Sequence, residues 1–280
     1  MITCNLQGGL GNQLFQIYTT IAYAYNTNSR FFFLNIKELK SSVTNRYTYW
    51  NTFLSSLKPY LLDPELINKD NIIIIKEKEF IYNTLPLALS ETKIMMLQGY
   101  YQSSKYFDIY FQTINRLLQF DSLKVQLTNK YSSLINEDKP ISMHFRLGDY
   151  KKLPEHYVIL SVDYYRAALN CILEKNNLEK TVLYFCEDQD LEDVNEIITK
   201  LKTEFSSLEF KRADPELEDW EQLILMSLCQ NNIIANSTFS WWGAYFNNAT
   251  NKIVCYPSIW NGSANNVKDL FPESWIKISS

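Results

Sequence analysis

The chain has 280 residues, of which 46% are hydrophobic, 15% aromatic and only 21% charged. Such a composition buries a sizeable core and excludes a disordered tail, and the length allows one large domain or two of roughly 140 residues. The net charge is −4, and with no Lys/Arg-rich run there is no basic stripe of the kind that displaces phosphate counterions from nucleic acid.

Residues 2–6 predict a short strand, and Gln7 to Gln13 a tight loop. From Leu14 the apolar residues Leu14, Ile17, Tyr18, Ile21, Ala22 and Tyr25 follow helical spacing. Phe31 to Leu34 predicts a second strand. Residues 41–98 are polar and aromatic-rich, interrupted by Pro59, Pro64 and Pro86, and yield one strand at Ile72 to Ile75. Residues 106–136 predict helix. Pro140 precedes a strand from Ile141 to Arg146, followed by a helix from Val162 to Glu174 and a strand from Thr181 to Cys186. Asp190 with Asp193 predicts a capping-box start for a helix carrying Leu191, Val194, Ile197, Ile198 and Leu201 on one side. A helix at Trp220 to Cys229, a strand at Ile233 to Ala235, a helix at Phe239 to Phe246 and a strand at Ile253 to Tyr256 complete the series. Strands and helices alternating in this way predict a parallel sheet covered on both faces, in two α/β halves that meet near residue 138.

Five of the seven glycines fall in three short segments: Gly8, Gly9 and Gly11, then Gly148, then Gly243. Each segment ends a predicted strand or starts a helix, which is where α/β sheets bind ligands. In the first, Gly8 to Gln13, backbone N–H groups either meet an anion or sugar at a helix N-terminus or simply form a close-packed turn; both readings stand. The segment is neither a Walker loop nor G-x-G-x-x-G. In the second, Ser142, His144 and Arg146 share one strand face. There Arg146 either reaches an anionic ligand bidentately or pairs with Asp149 at the surface. In the third, Asn236 to Gly243, Ser237 and Thr238 either cap a helix or add hydroxyls to a phosphate site, and Trp241 and Trp242 pack. Glu187 and Asp188 end a predicted strand, as acceptors for ribose or guanine or as acidic residues before a helix. Glu155 and His156 lie in a loop after Pro154.

The cysteines Cys4, Cys171, Cys186, Cys229 and Cys255 include no C-x-x-C, and the only histidines are His144 and His156. A reducing compartment is expected, and no conventional zinc site. Met1 leads directly into a predicted strand and no apolar run nears the roughly 20 residues that span a bilayer, so neither a signal peptide nor a transmembrane segment is expected, and the location expected is cytoplasmic.

Together these segments resemble the glycosyltransferase family 11 fucosyltransferases, the α-1,2-fucosyltransferase family. The resemblance rests on Gly8-Gly9-Leu10-Gly11-Asn12-Gln13-Leu14-Phe15-Gln16, Gly99-Tyr100-Tyr101-Gln102-Ser103, His144-Phe145-Arg146-Leu147-Gly148-Asp149-Tyr150 and the run from Ile233 to Gly243. Softer matches are Leu160 to Tyr165 and the closing Trp275-Ile276-Lys277-Ile278. The matches run in order along nearly the whole chain. The resemblance implies an α/β fold of GT-B type, two Rossmann-like domains facing a cleft. Residues 1–138 would form the acceptor-side domain and 139–280 the GDP-sugar-binding domain. It implies metal-independent, inverting transfer from the co-substrate GDP-L-fucose, with no cofactor, to a glycan acceptor, most simply O2 of a terminal β-galactoside; with no membrane anchor expected, a bacterial or viral-encoded enzyme is expected rather than a Golgi one. The candidate catalytic residues are Arg146, His144 and Asp149, although neither His144, Asp149 nor Glu155 is singled out as a general base. Donor-binding candidates are Gly11, Asn12, Gln13, Arg146, Gly148, Glu187, Asp188, Asn236, Ser237, Thr238 and Phe239; Tyr100, Tyr101 and Gln102 are acceptor-side candidates. The family signature commonly reads His-x-Arg-Arg-Gly-Asp; here Leu147 stands at the second arginine.

A charged hydrogen bond supplies about 1.5–3 kcal/mol of the roughly 8–23 kcal/mol of barrier reduction that enzymes reach. Arg146 is therefore expected to share an anion clamp with N–H groups at Gly11 and Asn12 and with Ser237 and Thr238. Three rivals remain. A glycoside hydrolase needs two carboxylates about 5–9.5 Å apart, whereas Glu187 and Asp188 are sequence neighbours that point apart. A non-catalytic nucleotide- or carbohydrate-binding protein, or a transferase using another GDP-sugar, fits the same motifs.

Overall fold

The computed structural model describes residues 1–40, 45–86, 92–136, 139–152, 155, 157–175, 181–262 and 267–280. His156 and Pro154 lie outside the described residues. The chain divides into two compact units, Met1–Ser122 with Asn266–Pro272, and Leu123–Asn265 with Glu273–Ser280. The division falls upstream of residue 138 because the helices after Ser122 belong to the second unit: Lys124 Nζ donates to Phe246 O at 2.6 Å and the Tyr131 hydroxyl to Asp214 Oδ2 at 3.0 Å.

The first unit contains strand β1 (Ile2–Cys4), helix α1 (Leu10–Asn26), the short strands β2 (Phe33–Leu34), β3 (Glu38–Leu39), β4 (Arg46–Tyr47) and β5 (Leu61–Leu62), strands β6 (Ile72–Lys76) and β7 (Ile94–Gln98), and helix α2 (Phe111–Leu117). Its sheet runs β1-β7-β6, all parallel. Helix α1 begins at Leu10 rather than Leu14, so Gly11, Asn12 and Gln13 form its first turn. It is buried nearly all round, with Leu14, Phe15, Ile17, Tyr18 and Ile21 wholly inaccessible, as a central helix must be.

The turn after β7 is strained in a way that explains its sequence. Gly99 has φ +154 and Tyr101 φ +53, and the Glu77 carboxylate bridges the turn, accepting from Tyr100 N–H at 2.6 Å and Tyr101 N–H at 2.9 Å. Burial raises the Glu77 pKa, and the two N–H donors partly offset it. A methyl group on Gly99 would lie 2.3 Å from Glu77 Cβ. Gly99→Ala is expected to cost about 1–3 kcal/mol through overpacking and backbone strain, read as a lowered urea midpoint at unchanged m-value.

The second unit holds α3 (Phe120–Lys130) from Leu123 onward, α4 (Ser132–Asn136), β8 (Ile141–His144), α5 (Val162–Lys175), β9 (Thr181–Phe185), α6 (Leu191–Glu204), β10 (Glu209–Arg212), α7 (Asp219–Leu228), β11 (Asn231–Ile233), α8 (Thr238–Tyr245), β12 (Val254–Pro257) and β13 (Ile276–Ile278). Its sheet has the order β10-β9-β8-β11-β12-β13, parallel throughout. That is a doubly wound sheet whose order reverses between β8 and β11, and a crevice opens outside the carboxyl ends of strands at such a switch point. The core is built from Ile141, Met143, Val182, Tyr184 and Ile233 on the strands, Phe145 just past β8, and Leu169, Ile172, Val194 and Ile198 on the helices. Leu147 joins this core, so the position of the family's second arginine is a packing position here. No helix among the described residues is long and apolar enough to cross a membrane.

Candidate active site

The switch point is braced by tyrosines. From α5, the Tyr165 hydroxyl donates to His144 O at 3.2 Å and the Tyr164 hydroxyl to Ile234 O at 2.6 Å, one bond to the end of each diverging strand. The Tyr150 hydroxyl donates to Asn236 O at 2.8 Å. These three bonds fix the carboxyl ends of β8 and β11 relative to each other.

Strand β8 stops at His144, two residues short of the predicted end, so Arg146 sits on the loop beyond the sheet. Its guanidinium lies 5.3 Å from the centroid of the Tyr150 ring, and its Nη1 pairs with Glu187 Oε1. Tyr150 in turn stacks on Tyr157 at 4.0 Å. Gly148 adopts φ +26, and its N–H donates to Asp190 Oδ2 at 2.7 Å. Asp190 is 2% exposed and makes no capping bond to α6. The capping box predicted at Asp190 and Asp193 does not form, because the Asp190 carboxylate is drawn to the Arg146 loop instead. Asp190 and Tyr150 are thus positioning residues that spacing along the chain did not reveal.

The carboxylates at the end of β9 are held by arginines. Glu187 takes Arg146, and Asp188 takes Arg212 at the end of β10. Arg212 is not among the candidates the sequence offers, yet it places a second cation at the carboxyl ends of the same strands. The Asp149 side chain lies outside the described residues.

His144 is 7% exposed, its ring is 5.5 Å from that of Phe239, and its Nδ1 is buried without a hydrogen-bond partner among the described residues. Burial, with the Arg146 charge adding to it, pushes its pKa from 6.5 down to about 3. The imidazole is therefore neutral at neutral pH and a poor proton acceptor. Between those two values the unfolded chain binds the extra proton, so His144 contributes stability that is fully present above pH 6.5 and is lost as pH falls towards 3. Replacing His144 with Gln should flatten this acid limb; urea midpoints at about pH 7 and about pH 4.5 should converge in the variant relative to wild type.

After β11, Asn236 is 2% exposed. Its Nδ2 donates to Val158 O at 2.9 Å, while its Oδ1 is buried without a partner among the described residues. His144 Nδ1 and Asn236 Oδ1, at and just beyond the carboxyl ends of the two diverging strands, are thus both buried polar atoms without a partner among the described residues. Ser237 is the N-cap of α8, its Oγ accepting from Phe239 N–H at 3.3 Å. Thr238 opens the helix, and Trp241 and Trp242 are wholly buried packing residues. At the other end of α8, Lys252 Nζ donates to Ala244 O at 2.8 Å and Lys124 Nζ to Phe246 O, a placement that complements the helix dipole.

In the first unit the glycine loop is shaped by side chains. Gly8 has φ +79, and a Cβ there would lie 2.5 Å from Asn12 Nδ2. Gly9 has open space where a Cβ would stand and is an N-cap position with no side-chain cap. Gln102 Nε2 donates to Asn12 Oδ1 at 3.0 Å, joining the Tyr100–Gln102 segment to this loop. Two of the sequence candidates are buried side chains. Gln13 is wholly buried, its Nε2 donating to Gly8 O at 3.0 Å and Tyr47 O at 2.9 Å and so shaping the loop, while its Oε1 is without a partner among the described residues. Tyr101 is also buried, with its hydroxyl on Ile75 O at 2.7 Å; its ring is core, not acceptor surface.

The profile of glycosyl transferase family 11 matches residues 1–279. The chain belongs to this family. Among curated relatives, the O-antigen biosynthesis glycosyltransferase WbnK of Escherichia coli is 27% identical over 99% of this chain and 100% of its own. An alpha-1,2-colitosyltransferase of Escherichia coli is 26% identical over 99% of each chain. Among solved structures, the ADP-heptose LPS heptosyltransferase II of Escherichia coli superposes with a TM-score of 0.51 at 12% identity, covering 99% of this chain and 89% of that one. A family 9 glycosyl transferase of Veillonella parvula gives 0.52 at 12% identity over 99% and 86%. POFUT1 in complex with GDP-fucose gives 0.50 at 11% identity over 91% and 97%. At these identities the structures show the fold, an α/β architecture similar to GT-B glycosyltransferases, as expected from the sequence. This family 11 glycosyltransferase therefore moves a sugar from a donor to an acceptor.

Proposed function

We propose that the chain is an inverting α-1,2-fucosyltransferase that moves L-fucose from GDP-β-L-fucose to O2 of a terminal β-galactoside. The observation that carries this reading is Arg146 at the β8–β11 switch point, in the same segments as two buried polar atoms, His144 Nδ1 and Asn236 Oδ1, that have no partner among the described residues, in a chain of family 11. One relative is named for α-1,2 transfer of a different 6-deoxy sugar, and one structural neighbour was solved with GDP-fucose; both are in keeping with the reading.

In this reading the second unit holds the donor. The acceptor O2 attacks C1 on the face opposite GDP, the bond from C1 to the β-phosphate oxygen breaks, GDP leaves with the electron pair, and a general base takes the O2 proton. Arg146 and the N-terminus of α8, at Ser237, Thr238 and Phe239, stabilise the charge that builds on the diphosphate. Gly148 lets the loop pass close to it. Neutral His144 and Asn236 Oδ1 hydrogen-bond the donor, and Glu187 and Asp188 set the two arginines. The first unit serves the acceptor, with N–H groups of Gly11 and Asn12 lending donors at the start of α1.

The test is GDP release from GDP-fucose, with and without lactose, followed by linkage analysis of the product. Galactoside-dependent release and an α-1,2 product support the reading. Colitose is fucose lacking the 3-hydroxyl, so GDP-colitose belongs in the same panel. Transfer from GDP-colitose but not GDP-fucose replaces the donor, and GDP binding with no turnover of any donor makes the chain a binding protein.

A further inference from the structure

Outside the switch point, the first unit presents an aromatic surface for which the fold has no evident use. Phe80 is 38% and Tyr82 37% exposed. Leaving such rings in water forgoes the roughly 1.5–3 kcal/mol that full burial of a large apolar side chain brings, and exposed apolar clusters with polar rims mark binding sites. Phe80 stacks on Tyr100, centroids 6.5 Å apart and planes 17° from parallel, and Tyr82 packs on Tyr106 at 4.8 Å. The loop that carries Phe80 and Tyr82 is tied down by polar bonds. Tyr82 N–H donates to Asp269 Oδ2 at 3.1 Å and Asn83 N–H to the Tyr106 hydroxyl at 3.0 Å, while the Ser103 hydroxyl donates to Asp269 O at 2.7 Å. On the other side, Glu77 grips the backbone of Tyr100 and Tyr101. Two backbones are thus fixed so that their rings stay in place without being buried.

We propose that Phe80 and Tyr100 form a stacking wall for the pyranose ring of the acceptor glycan, with Tyr82 extending it. A galactoside has one apolar C–H face and a polar rim, and these segments carry both kinds of group: the Phe80 and Tyr100 rings, with the amide of Gln102 two residues from Tyr100 and the Lys105–Asp269 ion pair, whose Asp269 also accepts from Tyr82 N–H. The wall is continuous with the glycine loop through the bond from Gln102 to Asn12. A protein partner would be expected to need a broader apolar patch than these few rings. The assignment rests on the reading of the chain as a transferase to galactosides, and it names the residues that recognise the acceptor ring.

Phe80→Ala, Phe80→Trp and Tyr82→Ala are the test variants. With GDP-fucose and lactose, Phe80→Ala should raise the KM for lactose about tenfold, leave the KM for GDP-fucose and the acceptor-free GDP release within about twofold, and keep the wild-type melting temperature within a few degrees. Phe80→Trp should restore the lactose KM, which a purely structural role for the ring does not explain. An unchanged lactose KM in both alanine variants overturns the wall, as does a rise in the donor KM equal to that of the acceptor. Calorimetric titration of lactose without any donor separates the two proposals. If wild type binds lactose and Phe80→Ala binds it about tenfold more weakly, the wall stands even where GDP-fucose proves to be the wrong donor. If wild type and Phe80→Ala bind lactose equally, or wild type binds none, the wall is wrong.

Discussion

Arg146→Ala is expected to lower kcat/KM for the GDP-sugar by about 10- to 150-fold, the equivalent of one charged hydrogen bond of about 1.5–3 kcal/mol. The side chain is placed for a ligand more than for the fold. It lies beyond the end of β8, its carboxylate partner Glu187 is 44% exposed, and the ring of Tyr150 supports one face of the guanidinium. With the guanidinium itself 19% exposed the pair is only partly in solvent, and a single pair open at its carboxylate contributes little to stability, so the variant should melt within a few degrees of wild type. Arg146→Lys should recover only part of the loss, because an ammonium neither forks onto a diphosphate nor stacks on the tyrosine. Steady-state kinetics with the donor varied, beside a thermal melt, provide the check. Activity within about twofold of wild type in a folded Arg146→Ala enzyme would remove the arginine from the reaction.

The features of the β8–β11 switch point were legible where they depend on local chain chemistry. Gly148 beside Arg146 and Ser237 before a helix stand out because a turn and a cap leave marks within a few residues. What holds them does not. Asp190 reads as a helix cap, yet its carboxylate bonds to Gly148 N–H, which is 42 positions away, and no local pattern encodes such a choice. The pairs Arg146–Glu187 and Arg212–Asp188 require the order β10-β9-β8, which exists only once the sheet has formed. The capping box that does form, Glu218 with Glu221 at the start of α7, uses a glutamate at N-cap, a residue type that the usual signature omits.

Strand assignments failed for similar reasons. Strand β7 is central to the first sheet, but its Ile94-Met95-Met96-Leu97 run is rich in methionine rather than β-branched residues. Strand β10 lies at a sheet edge and buries Phe210 alone, and β13 is three residues long at the opposite edge. The apolar run Ile233 to Ala235 predicts a strand two residues late, since β11 is Asn231–Ile233. Asparagine disfavours strands unless a buried network satisfies its amide, and that network is where stability is concentrated.

Asn232→Leu is accordingly expected to destabilise the second unit by about 3–5 kcal/mol, because a buried donor or acceptor left without its partner costs about 1–3 kcal/mol. Asn232 Nδ2 donates to Ser142 Oγ at 2.7 Å and to Met226 O at 2.9 Å, and its Oδ1 accepts from Asn247 Nδ2 at 2.7 Å. One amide thereby links β8, β11, the end of α7 and the segment after α8, directly beneath the switch point. Leucine matches the volume but strands a hydroxyl, a carbonyl and part of an amide, all buried. Asn247 Nδ2 keeps its bond to Cys229 O at 2.8 Å, which limits the loss at that partner. The melting temperature should fall by about 6–15 °C for a unit of this size, and urea unfolding followed by the fluorescence of the buried Trp241 and Trp242 reads the same loss. Adding Ser142→Ala to Asn232→Leu removes the stranded hydroxyl and should return about 1 kcal/mol, a coupling that independent sites do not show. If Asn232→Leu costs under about 1 kcal/mol, or if Ser142→Ala merely adds its own penalty, the network does not hold the two strands together and the rigidity ascribed to the switch point must come from the tyrosines of α5.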